Sequence, residues 1–419
     1  MSAASSTADP RQDPKRDAEV ISLVGLAHGT SHFFHLLLPP LFPWLMPEFG
    51  LSYTQAGFLM TVFFVVSGIG QALAGFVVDR IGARPVLFFG VGLLAVSALV
   101  LGLAQSYPML LLAAALAGTG NSVFHPADFT LLNRRVSTPR LGHAFSVHGL
   151  SGNLGWAAAP VFMAGIAAAS NWHVAAFCAS AVGFVVLALL VLRRDALHDA
   201  AQVVTTQFAQ GATAPHQLAF LRSGAVWLCF GFFFLVTSAF GILQNYAPAI
   251  LGEVYGLPLV LATAGLTAYL LGSAAGMIVG GFVASRRTDS DRVIAYAWGG
   301  AALTALLLAS GAMPAWMVLP LMATMGFGVG CAGPNRDLLV RKAATAQFGK
   351  TSYGRVYGFV YSGLDIGLAA SPLIFGPMLD AGQFTAALAG VAVLQVAALL
   401  SALWVGQGAR ARGAMTTQA

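Results

Sequence analysis

Apolar residues fall in long runs separated by short polar breaks, from about residue 20 almost to the C-terminus. A helix needs about 20 mostly apolar residues to cross a membrane. The pattern therefore predicts spans near 20–46, 51–78, 84–104, 108–132, 141–168 and 172–192, and again near 223–250, 258–284, 291–310, 314–340, 352–379 and 384–406. The expected fold class is an all-α membrane protein of twelve transmembrane helices in two six-helix bundles. A tail, 1–18, precedes the N-terminal bundle, 19–192. A loop, 193–222, joins it to the C-terminal bundle, 223–406, and a second tail covers 407–419. The tail 1–18 is polar and reads as disordered. The first apolar run is too long for a signal peptide, so no cleavable leader is expected.

The two bundles repeat one another. Gly75 to Arg84, GFVVDRIGAR, returns 206 residues later as Gly281 to Arg286, GFVASR. Pro43 to Glu48 (PWLMPE) matches Pro248 to Glu253 (PAILGE), and Asn153, Gly155 and Pro160 match Asp365, Gly367 and Pro372. Each copy has an even number of spans, so both enter the membrane from the same side. Parallel repeats about an axis normal to the membrane place a substrate site between the halves, near the midplane.

Composition sharpens this picture. The chain is 58% hydrophobic and 9% charged, against about 25% charged in soluble domains. The net charge of +6 would suit nucleic acid, but its placement argues otherwise. Twenty of the 21 Lys and Arg lie in the tails, in the loops after the even-numbered spans or in the first turn of the span that follows such a loop. Lys and Arg concentrate on the cytoplasmic side. Both termini are therefore expected in the cytoplasm, the chain is expected in a bacterial-type inner membrane, and no nucleic-acid partner is expected. Cys178, Cys229 and Cys331 lie inside apolar runs with no disulfide or metal-ligand spacing.

GFVVDRIGAR resembles the loop signature of the major facilitator superfamily, with Gly75, Asp79, Arg80, Gly82 and Arg84 standing where that pattern requires them. The resemblance implies that Asp79 holds the halves together on the cytoplasmic side, facing the start of span 11 near Ser352 to Arg355. The second copy keeps Gly281 and Arg286 but has Ser285 in place of Asp79. A narrower stretch, Gly118 to Pro126 (GTGNSVFHP), with the glycine-rich span 5, resembles the fosmidomycin-resistance subgroup of drug exporters.

An ionisable residue inside a span is costly and is a functional candidate by default. Span 1 carries His28, His32 and His35, spaced to share one helical face. Histidine titrates near neutral pH, so a stripe facing a wet cavity suits proton binding; neutral hydrogen bonding in helix packing is the alternative. No second cluster of ligands is evident beside the stripe, and no metal site is expected. Span 4 adds His125 and Asp128, and span 5 adds His148 and Asn153. Arg336 and Asp337 lie in span 10; Arg336 needs an anion partner, Asp128 or Asp337, and the group is read either as a gate or substrate contact or as a neighbour pair that snorkels towards the cytoplasm. Asp365 lies roughly 13 residues into span 11, ~20 Å deep at 1.5 Å per residue and past the middle of a ~30 Å core. It is read either as the proton-coupling carboxyl or as a packing Asp bonded to Ser151 or Tyr361. Gln244 and Asn245 are expected to face the cavity.

The functional expectation is a secondary transporter that exports a small drug-like or anionic compound against protons by alternating access. It would work as a monomer in the lipid bilayer, with no cofactor and the proton gradient as energy source. Import of an organic acid with protons is the alternative, and a membrane sensor without transport is the reading outside transport. An enzyme is not expected: no nucleophile constellation and no phosphate-binding GxxxxGK[ST] loop is present.

Overall fold

The computed structural model describes residues 14–198, 222, 224–286, 290–348 and 353–416. Within them, side chains are described except at 72, 76, 79, 138, 142, 225, 284–286, 290, 291, 334–348, 353–361, 402 and 405–416. Twelve helical segments among the described residues are long and apolar enough to cross a membrane. Span 1 comprises α1 (Pro14–His35) and α2 (Phe42–Phe49), and span 2 is α3 (Tyr53–Ile81). Span 3 is α4 (Ala83–Gly102), and span 4 comprises α5 (Tyr107–Asn121) and α6 (Phe124–Arg135). Spans 5 and 6 are α7 (Leu141–Ala169) and α8 (Trp172–Leu192). The second half follows with α9 (Gly224–Tyr255), α10 (Leu259–Arg286), α11 (Ser290–Ala309), α12 (Val318–Phe348), α13 (Tyr353–Asp380) and α14 (Phe384–Thr416).

Two spans expected as single helices are broken, and proline explains both breaks. Span 1 stops at His35, and a 3₁₀ turn at Pro39–Leu41 leads into α2. Span 4 stops at Asn121 and restarts at Phe124, which puts Pro126 in the first turn of α6. There its missing N–H has no partner to lose, whereas deep inside a helix it would remove a bond and clash with the preceding turn. The restart also fixes the direction in which His125 and Asp128 leave the backbone.

The edges differ from the expectation as well. α1 begins at Pro14, inside the stretch read as tail. Asp17 is 2% exposed because its carboxylate accepts the Ser137 N–H (3.2 Å) and the Ser137 hydroxyl (2.5 Å). At the other terminus α14 runs to Thr416, beyond residue 406. The loop expected over 193–222 lies mostly outside the described residues.

Gly50 and Gly256, also 206 residues apart, both close the turn after the first span of their half with φ of +63°. A residue with a Cβ is strained in that left-handed conformation, so the repeat extends to backbone geometry. Within the second half, α10 and α12 lie backbone to backbone. A Cβ on Gly272, Gly276 or Gly280 would strike the carbonyl oxygens of Ala323, Phe327 or Cys331. Small residues at such spacing let membrane helices approach closely.

The halves meet along two seams, α3 against α13 and α7 against α10. The first seam is closed from the end opposite the termini down to mid-depth. Asp380 accepts the backbone N–H groups of Tyr53 (2.6 Å) and Thr54 (3.1 Å) and the Thr54 hydroxyl (2.5 Å). The Thr61 hydroxyl donates to Ala369 O at 2.8 Å. At mid-depth Gly68 packs beside Asp365, and two turns further a Cβ on Gly75 would meet nothing within 4 Å. Among the described residues, the bonded contacts of this seam therefore lie between the far end and mid-depth.

Candidate functional site

A column of imidazoles occupies the N-terminal half. His28 and His148 stack with ring centres 3.5 Å apart, His28 and His32 are 4.3 Å apart, and His32 and His35 are 4.9 Å apart. His125 approaches His28 edge-on at 5.4 Å. The stripe predicted on α1 is therefore real, and α6 and α7 complete it with His125 and His148. The view that the stripe lacks a second cluster of ligands does not hold in three dimensions.

Asp128 anchors the lower end of the column. It is 0% exposed, and both charged-group contacts to it come from histidine: His148 Nε2 donates to Oδ2 at 3.1 Å, and His28 Nδ1 lies 3.3 Å from the same oxygen. Asp128 turns into its own bundle, and its Oδ1 has no hydrogen-bond partner. The cause is the break before Phe124, which aims α6 at α1 rather than across the seam. The side chains of Arg336, Asp337 and Tyr361 lie outside the described residues.

The upper end of the column is closed by neutral hydrogen bonding. Trp156 Nε1–H donates to His35 Nδ1 at 3.3 Å, which leaves Nε2 to carry the ring proton and donate it to Asn121 Oδ1 at 2.6 Å. Asn121 Nδ2 in turn donates to Ser67 Oγ at 2.8 Å. A protonated His35 has no acceptor for Trp156, so this ring is fixed in one neutral tautomer. Trp156 also reaches Phe240 of α9, 5.4 Å between ring centres, and so touches the second half.

Asp365 stands apart from the column. On α3, Ser67 and Gln71 face the first half, where they bond Asn121 and His125 (3.0 Å), while Gly68 faces Asp365. One helix therefore separates the carboxyl from the histidines, and the two groups are not brought together. Ser151 is not its partner: its hydroxyl donates to His148 O at 2.9 Å. Asn153, the repeat mate, donates to Gly149 O at 3.1 Å and approaches Met277 of α10 at 3.6 Å.

Gln244 and Asn245 are both buried, at 0% and 1% exposure. Asn245 lines a cleft of about 230 Å³ at the far end, between the repeated segments around Pro43 and Pro248; Gln244 is outside its lining. In the loop motif, Arg80 is exposed, Gly82 caps α3 with φ of +88°, and Gly75 and Gly281 face open space. Arg84 turns to the end of span 6, donating to Arg194 O at 3.3 Å and meeting His198 Nδ1 at 3.2 Å. The side chains of Asp79 and Arg286, and the segment around Ser352 to Arg355, lie outside the described residues.

Ser67, Gln71, Asn121, Trp156 and Asp380 escaped the sequence reading. A signal existed for the first two: they are polar residues four apart in an apolar span, and hence on one face. Nothing in the local sequence marks Asp380 as the residue that bonds the start of α3.

These features place the chain among membrane transporters built from two six-helix halves. Its residues 24–347 match the family model of the Major Facilitator Superfamily, and the chain belongs to that family. It is 29% identical over 273 residues to the fosmidomycin resistance protein of Escherichia coli K12, a match covering 64% of this chain and 65% of that relative. It therefore spans slightly less than two thirds of that relative's length. It is 25% identical to the membrane sensor protein UhpC of the same organism, covering 92% of this chain and 90% of the relative. A crystal structure of a bacterial homologue of the human lysosomal transporter Spinster, inward-facing and occupied, superposes with a TM-score of 0.70 at 15% identity, covering 95% of this chain and 98% of that one. The protein is a multi-pass membrane protein of twelve spans with this fold.

Proposed function

We propose that the protein is a proton-coupled exporter of a small drug-like or anionic compound, working by alternating access as a monomer in a bacterial inner membrane, with both termini in the cytoplasm. The observation that carries this reading is the α3–α13 seam. It is latched by Asp380 at the far end, and its described contacts run to mid-depth, where Asp365 packs against Gly68. A carboxyl at the opening edge of a seam changes its surroundings whenever the halves rock, and such a change is what couples a proton to a conformational cycle. Similarity to the fosmidomycin resistance protein supports export as the direction.

Proteoliposomes with an imposed pH gradient test this. Asp365→Asn copies the residue already present at the repeat position, Asn153. It should abolish gradient-driven accumulation and keep substrate-for-substrate exchange, which needs no net proton movement. Gradient-driven transport at the wild-type rate would remove Asp365 from the mechanism. A second reading, a membrane sensor without transport, is favoured by the long match to UhpC. Wild-type protein that shows ligand binding but neither accumulation nor exchange would decide for it, and uptake of an organic acid with protons would decide for an importer.

A further inference from the structure

We propose that the first half of the protein contains a binding site for a divalent transition-metal ion of the zinc type, formed by His28, Asp128 and His148. The inference concerns an equilibrium property of the folded chain and does not rest on the transport reading.

Three side chains from three helices converge there: His28 from α1, Asp128 from α6 and His148 from α7. One ligand atom from each lies within 4.8 Å of the others. The separations His28 Nδ1–Asp128 Oδ2 of 3.3 Å and His148 Nε2–Asp128 Oδ2 of 3.1 Å are close to the edge of a metal tetrahedron; the two rings stack at 3.5 Å, so one of them must turn about its Cβ–Cγ bond to bind the same ion. Ligand atoms 2.0–2.2 Å from a tetrahedral ion lie ~3.3–3.6 Å from one another.

The hydrogen bonding points the same way. His28 Nδ1 is near the carboxylate yet makes no hydrogen bond, and neither does Asp128 Oδ1. Both residues are almost wholly buried, at 3% and 0% exposure. Two buried polar atoms without partners leave a desolvation cost of the kind that hydrogen bonds normally remove. A cation between them would satisfy both at once. Among the described residues no lysine or arginine pairs with Asp128.

The surroundings suit imidazole chemistry. His28, His32 and His125 form a second group of ligand atoms within 4.8 Å of one another, sharing His28 with the first. His125 donates from Nδ1 to Gln71 Oε1 at 3.0 Å, so in the neutral ring Nε2 keeps its lone pair. His32 Nδ1 is buried without a partner, and the gap left by Gly152 holds His32 Nδ1 and His28 Nε2 within about 3 Å of where a Cβ would stand. His32 and His125 are only half-buried and lead towards the core site. Two imidazoles and one carboxylate select zinc, cobalt or nickel over magnesium or calcium, which prefer all-oxygen sites. Three protein ligands leave a fourth position open, as at zinc sites that exchange a water or another ligand.

The experiment uses full-length protein purified in detergent with an affinity tag that contains no histidine. Zinc and cobalt are titrated by calorimetry, and cobalt also by its visible absorption. Zinc X-ray absorption on the wild type reports directly on bound imidazole. The expected result is one ion per chain, an intense tetrahedral-type cobalt spectrum, and an absorption edge fitted by two imidazoles with one carboxylate. His148→Gln and Asp128→Asn should each weaken binding more than ~10-fold. His173→Ala is the control, since His173 sits at the far end beside Glu48. Wild type that binds no stoichiometric ion, or an absorption edge without imidazole, overturns the proposal. So does unchanged affinity in both folded variants. If a variant fails to fold, the wild-type spectra still decide.

Discussion

Gly68 and Asp365 meet across the seam between the halves, with the Asp365 Cβ 3.6 Å from where a Cβ on Gly68 would stand. That is an ordinary van der Waals separation, so one methyl group fits and a branched chain does not. Gly68→Ala should keep wild-type thermal stability. Gly68→Leu should wedge the seam and reduce transport in proteoliposomes while leaving the protein folded, as read by size exclusion. Equal transport by both variants would mean that the seam does not open and close at this level.

The far-end latch can be weakened at one residue. Asp380 caps the start of α3 from the opposite half, beside the local cap in which Ser52 and Gln55 bond each other's backbone. Losing an N-terminal cap costs about 0.5–2 kcal/mol. Asp380→Ala should shift the population towards opening at the far end by that amount. The measurement is labelling of a cysteine placed at Ala369, inside the seam. Unchanged labelling would show that Ser52 and the apolar seam suffice.

The neutral rung at the top of the histidine column should behave as a coupled pair. Asn121→Leu leaves the His35 N–H buried and unpaired, at a cost of about 1–3 kcal/mol. His35→Phe with Asn121→Leu removes donor and acceptor together and should recover part of that loss. A thermal-unfolding cycle measures the coupling; strictly additive single effects would contradict the bond.

The close approach of α10 and α12 gives a stability prediction. A side chain at Gly276 strikes the Phe327 carbonyl, and backbone cannot swing aside. Gly276→Leu should destabilise by about 1–3 kcal/mol, the usual cost of overpacking. Gly281→Leu, on the same helix with nothing within 4 Å, should melt like wild type.

Topology is testable by labelling. Cysteines at Ser106, Asn171 and Gly382, all at far-end turns of the bundle, should react with an impermeant reagent outside the cell, and one at Ala200 should not. Labelling of Ala200 from outside would reverse the orientation.

The sequence alone determined the twelve spans, the two parallel copies and which polar residues lie inside the membrane. The reason is that lipid punishes every exposed polar group, so length, hydropathy and rare charges are read directly from composition along the chain. The helical period alone also placed His28, His32 and His35 on one face. What only the tertiary structure decided was which polar residues meet. The break before Phe124 aims Asp128 at His28 and His148, and α3 stands between the histidines and Asp365. Asp380 finds the start of α3 across more than three hundred residues of chain. Such contacts depend on helix breaks, on the rotation of each helix about its axis and on the state of the seam between the halves, none of which is a local property of the residues that touch.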